Sequence, residues 1–82
     1  MSAAFEETLR LPDGSALIAR VGPGRDYCLG LYRRGTPLVE FWSEGPVHRR
    51  RAGDRISSYE FRSIEQLRYD FERDAEDALD RN

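Results

Sequence analysis

The chain has one histidine, His48, and one cysteine, Cys28, the residue types that most often bind transition metals or take part in nucleophilic catalysis. A zinc site needs more ligands than these two, and the C-terminal carboxylates follow helix-surface spacing rather than that of a magnesium cage. No nucleophile elbow lies near His48, and the Gly-Pro-Gly run at 22–24 lacks the lysine and helix of a phosphate-binding loop. The sequence therefore predicts no catalytic residues, no metal and no cofactor.

Arginine is the only basic residue type, with 13 arginines and no lysine. The segment 48–55 is the one basic cluster and carries a charge of +3, from Arg49, Arg50, Arg51 and Arg55 against Asp54. Guanidinium groups bind phosphates and carboxylates through paired hydrogen bonds. This segment is predicted to be a loop that binds phosphates or an acidic partner, or alternatively one that pairs with the chain's own acids.

The C-terminal segment 63–82 is acidic, with seven carboxylates against three arginines and a net charge of −4. At 100° per residue, one side of the predicted helix carries Glu65, Tyr69, Glu76, Asp77 and Asp80. An exposed tyrosine among carboxylates is typical of a protein-binding surface, and carboxylates can occupy arginine-lined grooves that bind nucleic acid. The alternative is an ordinary solvated helix face.

Short apolar runs separated by turn residues favour antiparallel strands before this helix. Turns are predicted at 12–15, 22–25 and 34–37, and the stretch 43–54 is predicted to be the longest loop. The five predicted strands span residues 5–11, 16–21, 26–33, 38–42 and 55–62. We therefore predict an α+β fold with an antiparallel meander sheet of four to five strands and one C-terminal helix packed across it.

The helix is predicted to begin at a capping box in which Ser63 is the N-cap and Gln66 reaches back to it. Its buried stripe contains Ile64, Leu67, Phe71, Ala75 and Ala78, with Leu79 at the margin. A helix about 10 Å wide cannot cover a five-stranded sheet about 24 Å across. Apolar residues on both sides of the third and fourth strands, including Tyr32 and Trp42, then need a covering loop, strong sheet curvature, a partner or a second copy.

Composition sets the remaining expectations. Residues are 39% hydrophobic and 34% charged, with a net charge of −2, a pI near 5.4 and a mean hydropathy of −0.71. These values favour one globular domain over residues 1–82 and disfavour disorder or a membrane span. A single cysteine and an N-terminus without an apolar leader pattern predict a cytoplasmic protein.

The strand-to-helix junction at 61–67, Phe-Arg-Ser-Ile-Glu-Gln-Leu, with Phe71 beyond it, resembles that of a small phage anti-CRISPR protein directed against a type I surveillance complex. The resemblance implies a short, single-domain, non-enzymatic inhibitor that docks on Cas subunits and blocks DNA recognition. That inhibitor has a second helix and sheet contacts for which this chain has no counterpart.

The leading hypothesis is thus a protein-binding module, a phage-encoded inhibitor that occludes a Cas complex or another host nucleoprotein through its acidic helix or its exposed sheet face. Two alternatives remain open. One is nucleic-acid binding through the arginine segment, and the other is a homodimer that pairs through Tyr32, Leu38 and Trp42.

Overall fold

The computed structural model describes residues 5–22 and 26–81. Its strands are β1 (Phe5–Arg10), β2 (Ser15–Val21), β3 (Tyr27–Arg33), β4 (Thr36–Glu44), β5 (Val47–Ala52) and β6 (Arg55–Ser58), followed by the helix α1 (Ile64–Arg81). All six strands form one antiparallel sheet in chain order. The predicted α+β meander is confirmed, but with six strands rather than four to five. The predicted turn at 22–25 falls largely on residues 23–25, outside the described residues.

The predicted loop at 43–54 is wrong, because this stretch is a β-hairpin. Strand β4 continues to Glu44, and Gly45, with φ of 59°, makes the turn into β5. The register pairs Ser43 with His48 and Trp42 with Arg49. Strand β5 is held in place by its backbone pairing with β4, since its sequence has no alternation of apolar and polar residues. The next strand, β6, ends at Ser58, so the strand predicted to reach residue 62 is four residues shorter.

The β1–β2 hairpin has the turn that its sequence predicts. Leu11 N–H donates to the Ser15 carbonyl at 2.8 Å, and Gly14 N–H donates to the Leu11 carbonyl at 3.1 Å. Gly14 has a φ of 91°, a conformation that glycine adopts without steric cost. The Asp13 carboxylate accepts from the Ser15 hydroxyl and backbone N–H and from Arg33, and these hydrogen bonds lower the pKa of Asp13 to about 2.

The core lies between α1 and one face of the sheet, centred on β3 and β4. Phe41 is fully buried and makes edge-on contacts with Tyr59 at 4.9 Å and Phe71 at 6.0 Å between ring centroids. The buried apolar residues are Tyr27, Leu29, Leu31, Val39, Phe41, Tyr59, Leu67, Phe71 and Ala75. The sheet is therefore anchored to the helix through its third and fourth strands.

Helix α1 begins as predicted, although only half of the capping box forms. The Ser63 hydroxyl accepts from Gln66 N–H at 3.0 Å, whereas the Gln66 side chain donates to Asp70 at 2.9 Å. The middle of the predicted stripe is buried, but Ile64 in the first turn is 53% exposed. Within the described residues, no helix is long and apolar enough to cross a membrane.

We expect Phe71→Ala to lower the free energy of unfolding by about 3–5 kcal/mol, because it leaves a cavity against Phe41. Urea denaturation followed by circular dichroism measures this loss. Tyr69→Ala is the matched control, since Tyr69 lies on the same helix and is 56% exposed; its expected effect is within about 0.5 kcal/mol. Equal losses in the two variants would contradict the described packing of α1.

Candidate functional site

The sheet face opposite α1, here called the open face, has no described helix or strand packed on it. Phe41 points into the core, so its neighbours Glu40 and Trp42 point to the other side of the sheet. Cross-strand pairing extends this face from Glu6 and Arg20 on β1 and β2 to Arg49 and Arg51 on β5. Of its described residues only Gly30 is buried. The open face is thus a solvent-accessible surface across all six strands.

Trp42 lies at the centre of one cross-strand row on the open face. Its neighbours in the row are Cys28 on β3 and Arg49 on β5. The indole N–H donates to the Glu44 carboxylate at 3.2 Å, and the ring is half-buried. Burial, followed by the nearby Glu40 carboxylate, raises the pKa of the Cys28 thiol. This row therefore offers an aromatic ring, an arginine and a thiol whose raised pKa favours its protonated form.

Tyr32 lies flat on the open face across Gly30, in the space that a side chain at residue 30 would occupy. Its hydroxyl donates to the Glu40 carboxylate at 2.5 Å. The other Glu40 oxygen is 3.4 Å from Arg51 Nε. Burial first, and then the Glu40 hydrogen bond and charge, raise the pKa of Tyr32 to about 12. Glu40 thus links Tyr32, through a hydrogen bond, to Arg51, through an ion pair, in the middle of the sheet.

The arginines predicted to share one loop are separated by the strand geometry. Arg49 and Arg51 lie on the open face, whereas Arg50 points to the helix side. There its guanidinium donates to Asp74 at 2.8 Å and lies 5.3 Å from the centre of the Phe41 ring. Arg55 begins β6 and is exposed. The predicted cluster is therefore not a single basic patch.

The predicted acidic residues of α1 form a second surface on the other side of the molecule. The exposed residues of this acidic helix surface are Glu65, Tyr69, Glu76, Asp77 and Asp80. Among the described residues, none of these carboxylates has an ion-pair partner. Asp74 is different, because it is half-buried against Arg50, and its pKa is raised by burial. The predicted partner-binding residues therefore fall on two surfaces, with Tyr32 and Trp42 on one and the acids on the other.

Leu38, which the homodimer hypothesis placed with Tyr32 and Trp42, packs partly against the core. A β-bulge causes this change, since Leu31 pairs with Val39 while Tyr32 pairs with Pro37, and Leu38 is left without a partner. The bulge removes one apolar residue from the predicted contact. It leaves Tyr32 and Trp42 as the aromatic residues of the open face within the described residues.

Sequence reasoning missed an aromatic stack at the junction between β6 and α1. The His48 ring lies 5.0 Å from Phe61 and 5.6 Å from Tyr27, and its Nδ1 is 2.9 Å from the Tyr27 hydroxyl. It also missed the Tyr59 hydroxyl, which donates to Asp70 at 2.6 Å. Burial first, and then the Asp70 hydrogen bond, raise the pKa of Tyr59 well above its ordinary value. These contacts fasten the sheet to the helix.

Within residues 5–22 and 26–81, no group of three or more histidine, cysteine, aspartate or glutamate side chains is placed to share a metal ion. Comparison with protein-family models, with curated proteins and with solved structures finds no match for this chain. The open face and the acidic helix surface are therefore the features of the described residues that bear on function.

We expect Glu40→Gln to lower the pKa of Tyr32 from about 12 towards its ordinary value of 10.0, because the carboxylate charge beside the phenol is removed. Near-ultraviolet absorbance of the phenolate measures the titration, and Tyr32→Phe identifies which step belongs to this tyrosine. Since the folded pKa is raised, the phenol's contribution to stability is complete below pH 10 and is lost as the pH rises towards 12.

Glu44→Gln is the matched control, because Glu44 lies on the same face but accepts from Trp42. It should leave the Tyr32 titration unchanged. A Tyr32 pKa unchanged by Glu40→Gln would show that the Tyr32–Glu40 hydrogen bond does not form.

Proposed function

We propose that the protein is a non-enzymatic binding module that docks on a partner protein through the open face, and that it acts by occlusion rather than chemistry. The observation that carries this proposal is that α1 covers only one side of the sheet, while the other side presents Trp42 and Tyr32 among arginines. A solvated sheet face usually carries small and charged side chains, so central aromatic residues there need another explanation.

The residue types of the open face match those that dominate protein interfaces. Tryptophan, tyrosine and arginine are enriched among binding hot spots, whereas lysine is depleted from interfaces. Arginine also binds carboxylates through its planar fork and stacks on aromatic rings. Trp42, Tyr32 and Arg49 therefore form the proposed centre of the contact. Glu6 and Arg20, on the first two strands, form its rim.

The charges of the open face favour a protein over nucleic acid. Arg20 pairs with Glu6 at 2.8 Å, and Arg51 pairs with Glu40 at 3.4 Å. Glu44 adds a further carboxylate beside Trp42. A nucleic-acid interface needs a continuous excess of positive charge along the phosphate path. Alternating charges instead suit a protein surface that has both signs.

One observation favours nucleic acid as the second candidate. Arg49 lies beside Trp42 with no ion-pair partner among the described residues, and a basic side chain next to an accessible aromatic ring is the arrangement that stacks an unpaired base. Binding of this kind would weaken steeply with salt. It would use Arg49 and Arg51, without Arg50.

The resemblance of the junction at 61–67 supplies one concrete target for the proposal, a Cas subunit of a type I surveillance complex. Three residues of that resemblance have roles in folding, since Ser63 caps the helix and Leu67 and Phe71 enter the core. The resemblance therefore supports a shared strand-to-helix architecture. On this proposal the contact residues lie elsewhere, on the open face, with the acidic helix surface free to repel or replace nucleic acid.

We expect Trp42→Ala to weaken partner binding at least tenfold, because it removes the largest side chain of the proposed contact. The measurement is affinity capture from nuclease-treated host lysate, followed by titration of the purified partner. Tyr69→Ala is the matched control, since it truncates an exposed aromatic residue on the opposite side of the molecule. The expected result is the same partner with the wild type and Tyr69→Ala.

Two outcomes would contradict this assignment. Loss of the partner with Tyr69→Ala but not with Trp42→Ala would move the contact to the acidic helix surface. Loss of every partner on nuclease treatment, with oligonucleotide binding that falls on Arg49→Ala, would favour the nucleic-acid candidate.

We expect reversal of the two last exposed acids, Asp77→Arg with Asp80→Arg, to change the association rate with the partner and leave the dissociation rate nearly unchanged. Charges outside a contact act through long-range steering, which salt screens. Surface plasmon resonance at low and high salt separates the two rates. A dissociation rate raised tenfold would instead place these carboxylates within the contact.

A further inference from the structure

Strand β1 is an edge of the sheet, since it pairs with β2 and no other described strand lies beside it. The hydrogen bond from Leu11 N–H to the Ser15 carbonyl fixes which backbone groups β1 uses. In an antiparallel ladder every second residue bonds to the neighbouring strand. Counting back from Leu11, the N–H and C=O groups of Glu6, Thr8 and Arg10 are therefore directed away from β2.

The backbone of this edge lacks three features that protect sheet edges. Strand β6, at the other edge, is only four residues long, whereas β1 has six residues with no proline and a regular register. Short strands, prolines and bulges are among the usual means of preventing edge-to-edge pairing, as are charged side chains, which β1 has at Glu6, Glu7 and Arg10. An uninterrupted set of outward backbone groups is instead a template for another strand.

The sequence of β1 is complementary to itself in one antiparallel register. When Thr8 pairs with Thr8 of a second copy, Glu6 of each copy lies opposite Arg10 of the other. The two Glu6–Arg10 pairs are related by a two-fold axis. All three outward residues then form hydrogen-bonded pairs, and their side chains share the open face. Of the two neighbouring registers, the one centred on Glu7 would bring two Glu7 carboxylates together, which is unfavourable. The one centred on Leu9 would place Glu6 opposite Pro12, which has no N–H to donate.

The intramolecular contacts of β1 agree with that register. Glu6 already pairs with Arg20 of β2 at 2.8 Å, so Arg10 of the second copy would extend a row of alternating charges. On the helix side, Leu9 is 54% exposed and lines an apolar groove of about 420 Å³ between α1 and the first two strands. Leu9 of the second copy would lie beside Glu7, at the rim of this groove.

We propose that β1 is the interface for a second copy of this chain, and that two copies join their sheets edge to edge in the register Thr8 to Thr8. The product is a continuous twelve-stranded sheet with one helix from each copy on the same side. A two-fold pairing of this kind is closed, because the outward backbone groups of each β1 bond to those of the other, which leaves no free β1 edge for a third copy. It is independent of the proposed function, since the open faces remain accessible and lie side by side.

Sedimentation equilibrium on the full chain tests the proposal. The wild type should have twice the 9.5 kDa of a single chain, and Thr8→Pro should shift it to a monomer, because proline removes the two central N–H donors. The outward N–H of residue 8 is directed away from β2 and has no hydrogen-bond partner among the described residues, so the fold should survive. Thr8→Ala is the matched control, which keeps the N–H and should remain dimeric.

A charge exchange tests the register without changing the backbone. Arg10→Glu places two glutamates opposite each other at both ends of the pairing and should raise the dimer dissociation constant at least tenfold. Adding Glu6→Arg restores opposite charges across the two-fold axis and should restore the dimer, even though it sacrifices the ion pair with Arg20. Circular dichroism of each variant checks that it is folded.

Three results would overturn the proposal. One is a wild-type monomer at millimolar concentration, which leaves the proposed function intact if the partner is still captured. The second is a dimer that survives Thr8→Pro but dissociates with Trp42→Ala, which would place the self-association on the open face. The third is a folded Arg10→Glu variant whose dissociation constant equals that of the wild type.

Discussion

The width of one α-helix, about 10 Å, limits how much of the sheet the helix can cover. Six strands at about 4.8 Å spacing form a sheet more than twice as wide, and the helix packs where the large apolar residues of β3 and β4 are concentrated. No other element within residues 5–22 and 26–81 packs on the opposite face. On the helix side, Leu9 of β1 is also exposed, and it borders the groove together with Ile64 of α1. The open face and the groove are both consequences of having one helix for six strands.

The parts of the fold that could be predicted are those with a local physical signal. Pro12 and Gly14 identify the first hairpin, and Ser63 with the period of Leu67 and Phe71 identifies the helix. Strand β5 has no such signal, because arginines occupy three consecutive positions. Its conformation depends on pairing with β4 and on Arg50, which is held on the helix side by Asp74 and the Phe41 ring. Those interactions join residues far apart in sequence, so a local pattern cannot indicate them.

The candidate surfaces likewise divide into features that a local sequence pattern predicts and features that depend on pairing between strands. Helical projection places the exposed acids of α1 and Tyr69 correctly, since a helix needs no partner to define its faces. For the sheet, the alternation along β4 separates Trp42 from Phe41, but it cannot show that Glu40 bonds to Tyr32 and lies near Arg51. That cluster needs the cross-strand register. The bulge beside Tyr32, which turns Leu38 towards the core, is likewise a property of two strands together.

The contact between Gly30 and the Tyr32 ring bears on how the open face can vary between related sequences. A methyl group at residue 30 would occupy the place of the ring, so alanine there would lift the ring from the sheet and separate its hydroxyl from Glu40. Every glycine codon is one base change from an alanine codon. A single nucleotide can thus convert a flat aromatic surface into a protruding one without changing any charge. The shape of the open face could thus change at this position while the core is unchanged.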